Sequence, residues 1–300
     1  MSHGLYRPTR DVSGSHEDLL AWKLVLPPSG AFTHLSAAGE YGWWLPPLPD
    51  DLPVFVSMAA NEGRPKREGL RVARLAGATA IEMRGGLPLT GPEETLLACA
   101  RDLRLLDMVV LVDAALHMKS CTPDDIAELA QPRRRGAPML QQALRLADAR
   151  SESAWETMLR MLHVACEVPV EPQLEVFDET GAFVARGDLW ISGTKTLHEY
   201  DGDEHLQRPR QRKDLRRQRE LGHLDWTRRG YTSHEVTRQA VGILRDADES
   251  LGRPHRPERA RAWHALLTES LFTPTGTERL RARLGLNPPA TAQMRPAREA

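Results

Sequence analysis

Hydrophobic positions in the first half alternate between helical and strand spacing, which predicts mixed α and β structure. Ser15 can cap a helix carrying Leu19, Leu20, Trp22 and Leu24, and Thr33 another from about His34 to Trp43, which Leu45-Pro-Pro-Leu-Pro breaks. Short strands are predicted at Val54–Met58, Leu70–Leu75 and Thr79–Met83. Pro92 suits the first position of a helix, with Glu93 and Glu94 near its positive end. A strongly apolar helix from about Leu105 to His117 is expected to be buried. Thr122-Pro-Asp-Asp opens the next helix, and another spans roughly Ala137 to Ala149.

The pattern changes near Ser151. A helix beginning at Ser151-Glu-Ser-Ala-Trp-Glu runs on through Leu159, Leu162 and Val164. Strands follow at Gln173–Phe177 and Phe183–Ile191, separated by the turn Asp178-Glu-Thr-Gly181. Ser192-Gly193 makes a tight turn into a third strand, Thr194–Tyr200. Then come a helix from Pro209 to Leu221, a strand near Leu224–Arg229 and a helix from Ser233 to about Ala247. The order is α-β-β-β-α-β-α. Beyond Arg253 the chain is rich in Arg and Pro, with one or two helices and a tail expected to be disordered.

Three hundred residues suit two domains, and 41% hydrophobic content suffices for buried cores. The net charge of −1 means that any nucleic-acid contact must come from a local basic patch. Cys99, Cys121 and Cys166 have no metal-finger or redox spacing, so reduced, packed thiols in a cytoplasmic protein are expected. There is no secretory signal at the N-terminus and no apolar run near the ~18 residues of a membrane span. The absence of a P-loop or dinucleotide fingerprint sets the expectation of no nucleotide cofactor.

The chemistry concentrates in the second half. Glu199-Tyr-Asp-Gly-Asp-Glu-His205 follows a hairpin whose first strand carries Asp188. With the turn at Ser192-Gly193, Asp188 faces Leu197 and lies diagonal to Glu199. Residues two apart share a sheet face, so Glu199 and Asp201 point the same way as Asp188. Carboxylates so gathered repel unless something positive sits among them. A divalent ion, Mg²⁺ or Mn²⁺, on Asp188, Glu199 and Asp201 would resolve the conflict. A solvated acidic hairpin paired with nearby arginines would resolve it too. Glu156, on the opening helix, either completes the site from the other side or stabilises a helix N-terminus. His205 is placed to orient water, protonate a leaving group or bind metal, or else is a surface residue. Six arginines and Lys213 lie between Gln207 and Gly222. Of these, Arg208, Arg210, Arg212, Lys213, Arg216 and Arg217 form a candidate surface for a DNA backbone. Such a run also fits a merely solvated helix face.

Glu156-Thr-Met-Leu-Arg160, Val184-Ala-Arg-Gly-Asp-Leu-Trp190, Glu199–His205 and Asp214-Leu-Arg-Arg-Gln-Arg-Glu-Leu221 together resemble a family. It is the domain related to very-short-patch-repair (Vsr) endonucleases, in the PD-(D/E)xK restriction-endonuclease-like superfamily. The resemblance implies an αβββαβ core with Asp188 as central metal ligand, Glu199 in the second acidic position and Glu156 as helix acid. It also puts His205 at a catalytic histidine position and matches Asp214 to an acid on the next helix. Asp201 stands where the superfamily signature has lysine, Gly187 replaces a proline, and Asp225-Trp226 replaces Gly-Trp.

In the first half, Leu5-Tyr6-Arg7, Thr33-His-Leu-Ser-Ala-Ala38, Gly86-Leu-Pro-Leu-Thr-Gly-Pro92 and Thr95-Leu-Leu-Ala98 resemble actinobacterial type IV abortive-infection (AbiEi-like) antitoxins. Those proteins usually begin with a winged-helix DNA-binding module. The present chain starts about where that module would end, so DNA binding by it is not carried over.

The expectation is an α/β (α+β) protein of two domains. A mixed α+β, antitoxin-like domain is expected at 1–149 and a restriction-endonuclease-like αβββαβ domain at 150–250. A helical extension and tail would fill 251–300. The leading functional expectation is a metal-dependent DNA endonuclease for repair or phage defence. The alternative is a non-catalytic antitoxin-like or regulatory protein that binds DNA, a cognate toxin or another protein.

Overall fold

The computed structural model describes residues 15–75, 80–131, 133–202 and 217–286. They form a mixed α+β structure with two separate sheets, as the hydrophobic pattern requires. The expected C-terminal tail lies outside the described residues.

The first sheet has the order β3-β2-β1-β5-β4. Its strands are β1 (Ala31–Phe32), β2 (Val54–Ala59), β3 (Leu70–Leu75), β4 (Ile81–Arg84) and β5 (Leu87–Thr90). β1 pairs antiparallel with β2 and parallel with β5, and β2 pairs parallel with β3. β1 and β5 were not expected. β1 has only two residues, too few to show a period, and Pro88 interrupts the pattern of β5. Gly85 and Gly86, both at positive φ, join β4 to β5 in a two-residue hairpin turn.

Helices α1 (His16–Lys23), α2 (His34–Glu40), α3 (Pro92–Cys99), α4 (Leu105–His117), α5 (Pro123–Leu129) and α6 (Ala137–Leu146) complete the first half. α2 is shorter than expected, because Gly42 at φ +78° turns the chain and Trp43 N–H closes back on Ala38 O. Thr33 does not cap it; its hydroxyl accepts from Thr90 Oγ1 instead. Thr122 caps α5 in a full capping box with Asp125.

The second sheet, β6 (Val170–Phe177), β7 (Phe183–Ile191), β8 (Thr196–Tyr200) and β9 (Thr227–Tyr231), is ordered β6-β7-β8-β9. The first three strands are an antiparallel meander, and β9 returns parallel to β8. α7 (Ala154–Ala165) covers one face, and the helical stretch over 217–223, here α8, covers the other. The α-β-β-β-α-β order read from the sequence is present. The Ser233–Ala247 helix is divided at Gln239, which leaves helical geometry, into α9 (Ser233–Arg238) and α10 (Ala240–Ser250). α11 (Ala260–Glu269) and α12 (Pro274–Leu284) follow.

One apolar core runs from Leu19 through α4 and α7 to Leu284, so the flanks of both sheets share it. A smaller cluster of Val176, Ala185, Leu197 and Leu221 lies between the second sheet and α8. α4 carries two buried acids that tie it to its neighbours. Asp113 accepts from Thr157 Oγ1 and Arg160 Nη2, each at 2.7 Å, and from Asp148 N at 2.8 Å. Asp107 accepts from Ser270 Oγ at 2.5 Å and from Leu271 N. Burial pushes the Asp107 carboxyl up to about 7 against those hydrogen bonds. Cys99, Cys121 and Cys166 are buried and unpaired. No helix among the described residues is long and apolar enough to cross a membrane.

Candidate functional site

The acidic residues meet where β7 and β8 part. The hairpin register pairs Trp190 with Leu197 and Leu189 with His198, so Leu197 lies across from Trp190 and not from Asp188 as expected. The turn is displaced because Thr194 belongs to it. Thr194 N–H donates to Ile191 O, and its hydroxyl receives the Thr196 N–H. At Asp188 a side-chain carboxylate takes over from the backbone ladder, since Asp188 Oδ2 accepts from Tyr200 N at 2.9 Å.

Gly187 is required beside it. A Cβ at that position would stand 2.7 Å from Leu197 Cδ2, in the small core under α8. This accounts for glycine where the resemblance expected proline.

Burial, then the charges of Glu156 and Glu199, push the Asp188 carboxyl up to about 7. Glu156 reaches this point from α7, where Gln173 Nε2 and Glu152 N each donate to its Oε2 at 2.9 Å. Burial raises its pKa also, against those hydrogen bonds. Asp188 thus lies within electrostatic reach of both Glu156 and Glu199.

Glu199 is only 3% exposed and is enclosed by guanidinium groups. Arg217 Nη2 lies 2.6 Å from its Oε1, and Arg228 Nε lies 2.5 Å from its Oε2. Arg228 also reaches Asp201 Oδ1 at 2.6 Å. One strand arginine therefore spans both carboxylates, Glu199 on β8 and Asp201 just past its end. Burial disfavours the Arg228 charge, but Glu199 and Asp201 outweigh it and raise its pKa. The Asp201 carboxylate lies against Gly230, where a Cβ would collide with it.

Arg217, expected on a DNA-facing surface, points inward, and its Nη2 also donates to Arg186 O. His205, Arg208, Arg210, Arg212, Lys213 and Arg216 lie outside the described residues, as does Asp214.

Among the described residues, arginines occupy most of the Glu199 and Asp201 oxygens that a divalent cation would use. Both Glu199 oxygens and one of Asp201 are bound to arginines. Among the described residues, no group of three or more His, Cys, Asp or Glu is disposed to hold a metal ion.

Sequence reasoning missed Arg228. Its signal was available: Arg228 and Arg229 sit on a strand parallel to β8, so their side chains leave opposite faces. Arg229 Nη1 pairs with Asp246 Oδ1 at 2.5 Å on the other face. There, His163 Nε2 meets His198 Nδ1 at 2.9 Å, and Tyr231 Oη donates to Asp246 Oδ2 at 2.9 Å. These contacts join α7, β8, β9 and α10 through buried polar groups. Burial drives the His163 ring down to about 4, so both nitrogens serve the neutral form.

Comparison with known proteins finds a likeness in the first half. Residues 26–149 match the family model of the AbiEi antitoxin C-terminal domain, a span that includes the whole first sheet and α2 through α6. Two curated proteins of Mycobacterium tuberculosis are each 31% identical over 163 residues. They are the uncharacterized protein MT2308 of strain CDC 1551 / Oshkosh and the uncharacterized protein Rv2248 of strain H37Rv. The matched stretch is 53% of this chain and 59% of each relative, so the chain spans somewhat more than half of their length. No solved structure matches the chain significantly.

Proposed function

We propose that this protein is an antitoxin-like binding protein whose second half keeps a nuclease-type arrangement of strands without working as a nuclease. The match of residues 26–149 to an AbiEi antitoxin domain gives the class of function. The observation that carries the choice against catalysis is the closure of Glu199 by Arg217 and Arg228. Two guanidinium groups on Glu199 compete with any cation for its oxygens. Asp201, where a superfamily lysine would handle protons, is held by Arg228. The acids and arginines stabilise one another and hold β8, β9 and α8 together.

In this reading the protein acts by binding a partner, a cognate toxin or DNA, and the carboxylates shape the scaffold. The test is co-expression with a candidate growth-arresting toxin. Wild type and Asp188→Asn are expected to restore growth equally. Failure of wild type to restore growth would contradict the antitoxin class. Restoration by wild type but not by a folded Asp188→Asn protein would return the site to a catalytic role.

A further inference from the structure

A second charged site lies in the first half, away from the carboxylates of the second sheet. A cleft of about 510 Å³ opens between β2, β3, the start of α2 and the loops that follow α3 and α5. Arg71, Arg74, Arg101, Arg134 and Arg135 line it, with Asp102 as the acid among its lining residues. Glu94, just behind, pairs with Arg134 Nη2 at 2.6 Å and more loosely with Arg101 at 3.6 Å. Five arginines thus stand against two carboxylates, with Arg71 also donating to Leu284 O and Arg74 to Ala60 O. Burial chiefly lowers the Arg101 pKa; Glu94 opposes that, and Arg134 and Arg135 add a smaller repulsion. An anion in the cleft would relieve that repulsion.

His34 supplies the second, independent observation. It lines the cleft, is 3% exposed and stacks on Phe55 with centroids 4.1 Å apart. Its φ of +56° is a left-handed conformation that costs a non-glycine residue energy and is often found at ligand sites. Among the described residues its Nδ1 has no hydrogen-bond partner. Its Nε2 stands 3.5 Å from Asp102 Oδ2, at the outer limit of a hydrogen bond. Asp102 Oδ1 likewise lacks a partner among the described residues. A buried polar atom left unpaired costs roughly 1–3 kcal/mol, so unpaired atoms on one wall of a cleft point to a missing ligand.

The two halves of the cleft call for different chemistry. The arginines call for phosphate oxygens, which they bind with charge-assisted hydrogen bonds. Asp102 Oδ1 offers an acceptor and His34 a ring nitrogen, which together suit hydroxyl or amine groups. Bare phosphate satisfies only the first. A nucleoside phosphate carries both, and the cleft lies within the ~300–1,000 Å³ range of small-molecule sites. We propose that this cleft binds a nucleoside phosphate, its phosphates on the arginines and its sugar or base donors on Asp102 and His34. The site uses side chains, which is consistent with the lack of any glycine-rich phosphate loop in the sequence.

The experiment is isothermal titration calorimetry of the full chain with ADP, GDP, CDP, UDP and inorganic pyrophosphate, without any protein partner. At least one nucleoside diphosphate is expected to bind more tightly than pyrophosphate. Arg135→Gln, at an exposed position, is expected to weaken binding roughly tenfold while leaving the apo melting temperature unchanged. His34→Gln is expected to reduce the preference for nucleotide over pyrophosphate. No binding of any of the five at millimolar concentration would overturn the proposal, as would affinity unaffected by Arg135→Gln. Equal affinity for pyrophosphate and every nucleotide would overturn the nucleoside assignment.

Discussion

The two sheets each gather charge, and they neutralise it differently. Beside the second sheet, Glu199 and Asp201 are matched within 2.6 Å by Arg217 and Arg228, and the neighbouring Asp188 is pushed toward its neutral form. Beside the first sheet, arginines outnumber carboxylates, and a buried histidine and Asp102 keep unpaired atoms among the described residues. The first arrangement is internally complete, and the second is completed by something from outside. Charged residue types alone do not separate the two. What separates them is whether each charge finds its counter-charge within the chain.

Removing Arg228 is the most severe way to break this contrast. Arg228→Ala would leave Glu199 buried with only Arg217 and would strip Asp201 of its partner. Urea unfolding is expected to show a loss of ~3 kcal/mol, the usual order for breaking a buried ion pair. A loss below about 0.5 kcal/mol would mean that the arginines are idle and the carboxylates open. Gly230→Ala probes the same contact by pushing on Asp201, and is expected to cost on the order of 1–3 kcal/mol.

A pH series on Asp188→Asn sharpens the comparison. The folded carboxyl titrates near 7, above the ordinary 3.8. Its protonated form is therefore favoured by the fold, and that stability is present below pH 4 and lost as pH rises through 7. Asp188→Asn should match wild type near pH 4 and exceed it by on the order of 4 kcal/mol at pH 8, read by thermal unfolding. A difference that does not change with pH would show that Asp188 is ionised and paired throughout.

The smallest effect belongs to the first sheet. Arg135→Gln in the unliganded protein is expected to change stability by no more than about 0.5 kcal/mol. A clear loss would show that Arg135 is matched within the chain, and the contrast between the two sheets would narrow.

Much of the fold was legible because strong local signals agree with tertiary context. α4 has the bounds that its apolar run predicted, Phe183–Ile191 is the predicted strand, and Thr122 makes the predicted cap. β1 and β5 were illegible because a two-residue strand and a proline-interrupted one exist only through their sheet neighbours. In the second sheet, sequence spacing brought Asp188, Glu199 and Glu156 together but placed the hairpin register wrongly, because the role of Thr194 in the turn leaves no periodic trace. Arg228 was missed because its partners come from a parallel strand far away in sequence. The cleft of the first sheet was invisible for the same reason: its arginines come from a strand and two loops that only the fold assembles.

The claim that arginines, and not a metal ion, complete the carboxylate cluster is tested most directly by melting the wild-type protein in rising Mg²⁺ and Mn²⁺. The account predicts no rise in melting temperature up to millimolar metal, because the oxygens of Glu199 and Asp201 that a cation would need are held by Arg217 and Arg228. A saturable rise of several degrees that disappears in Asp188→Asn would contradict it.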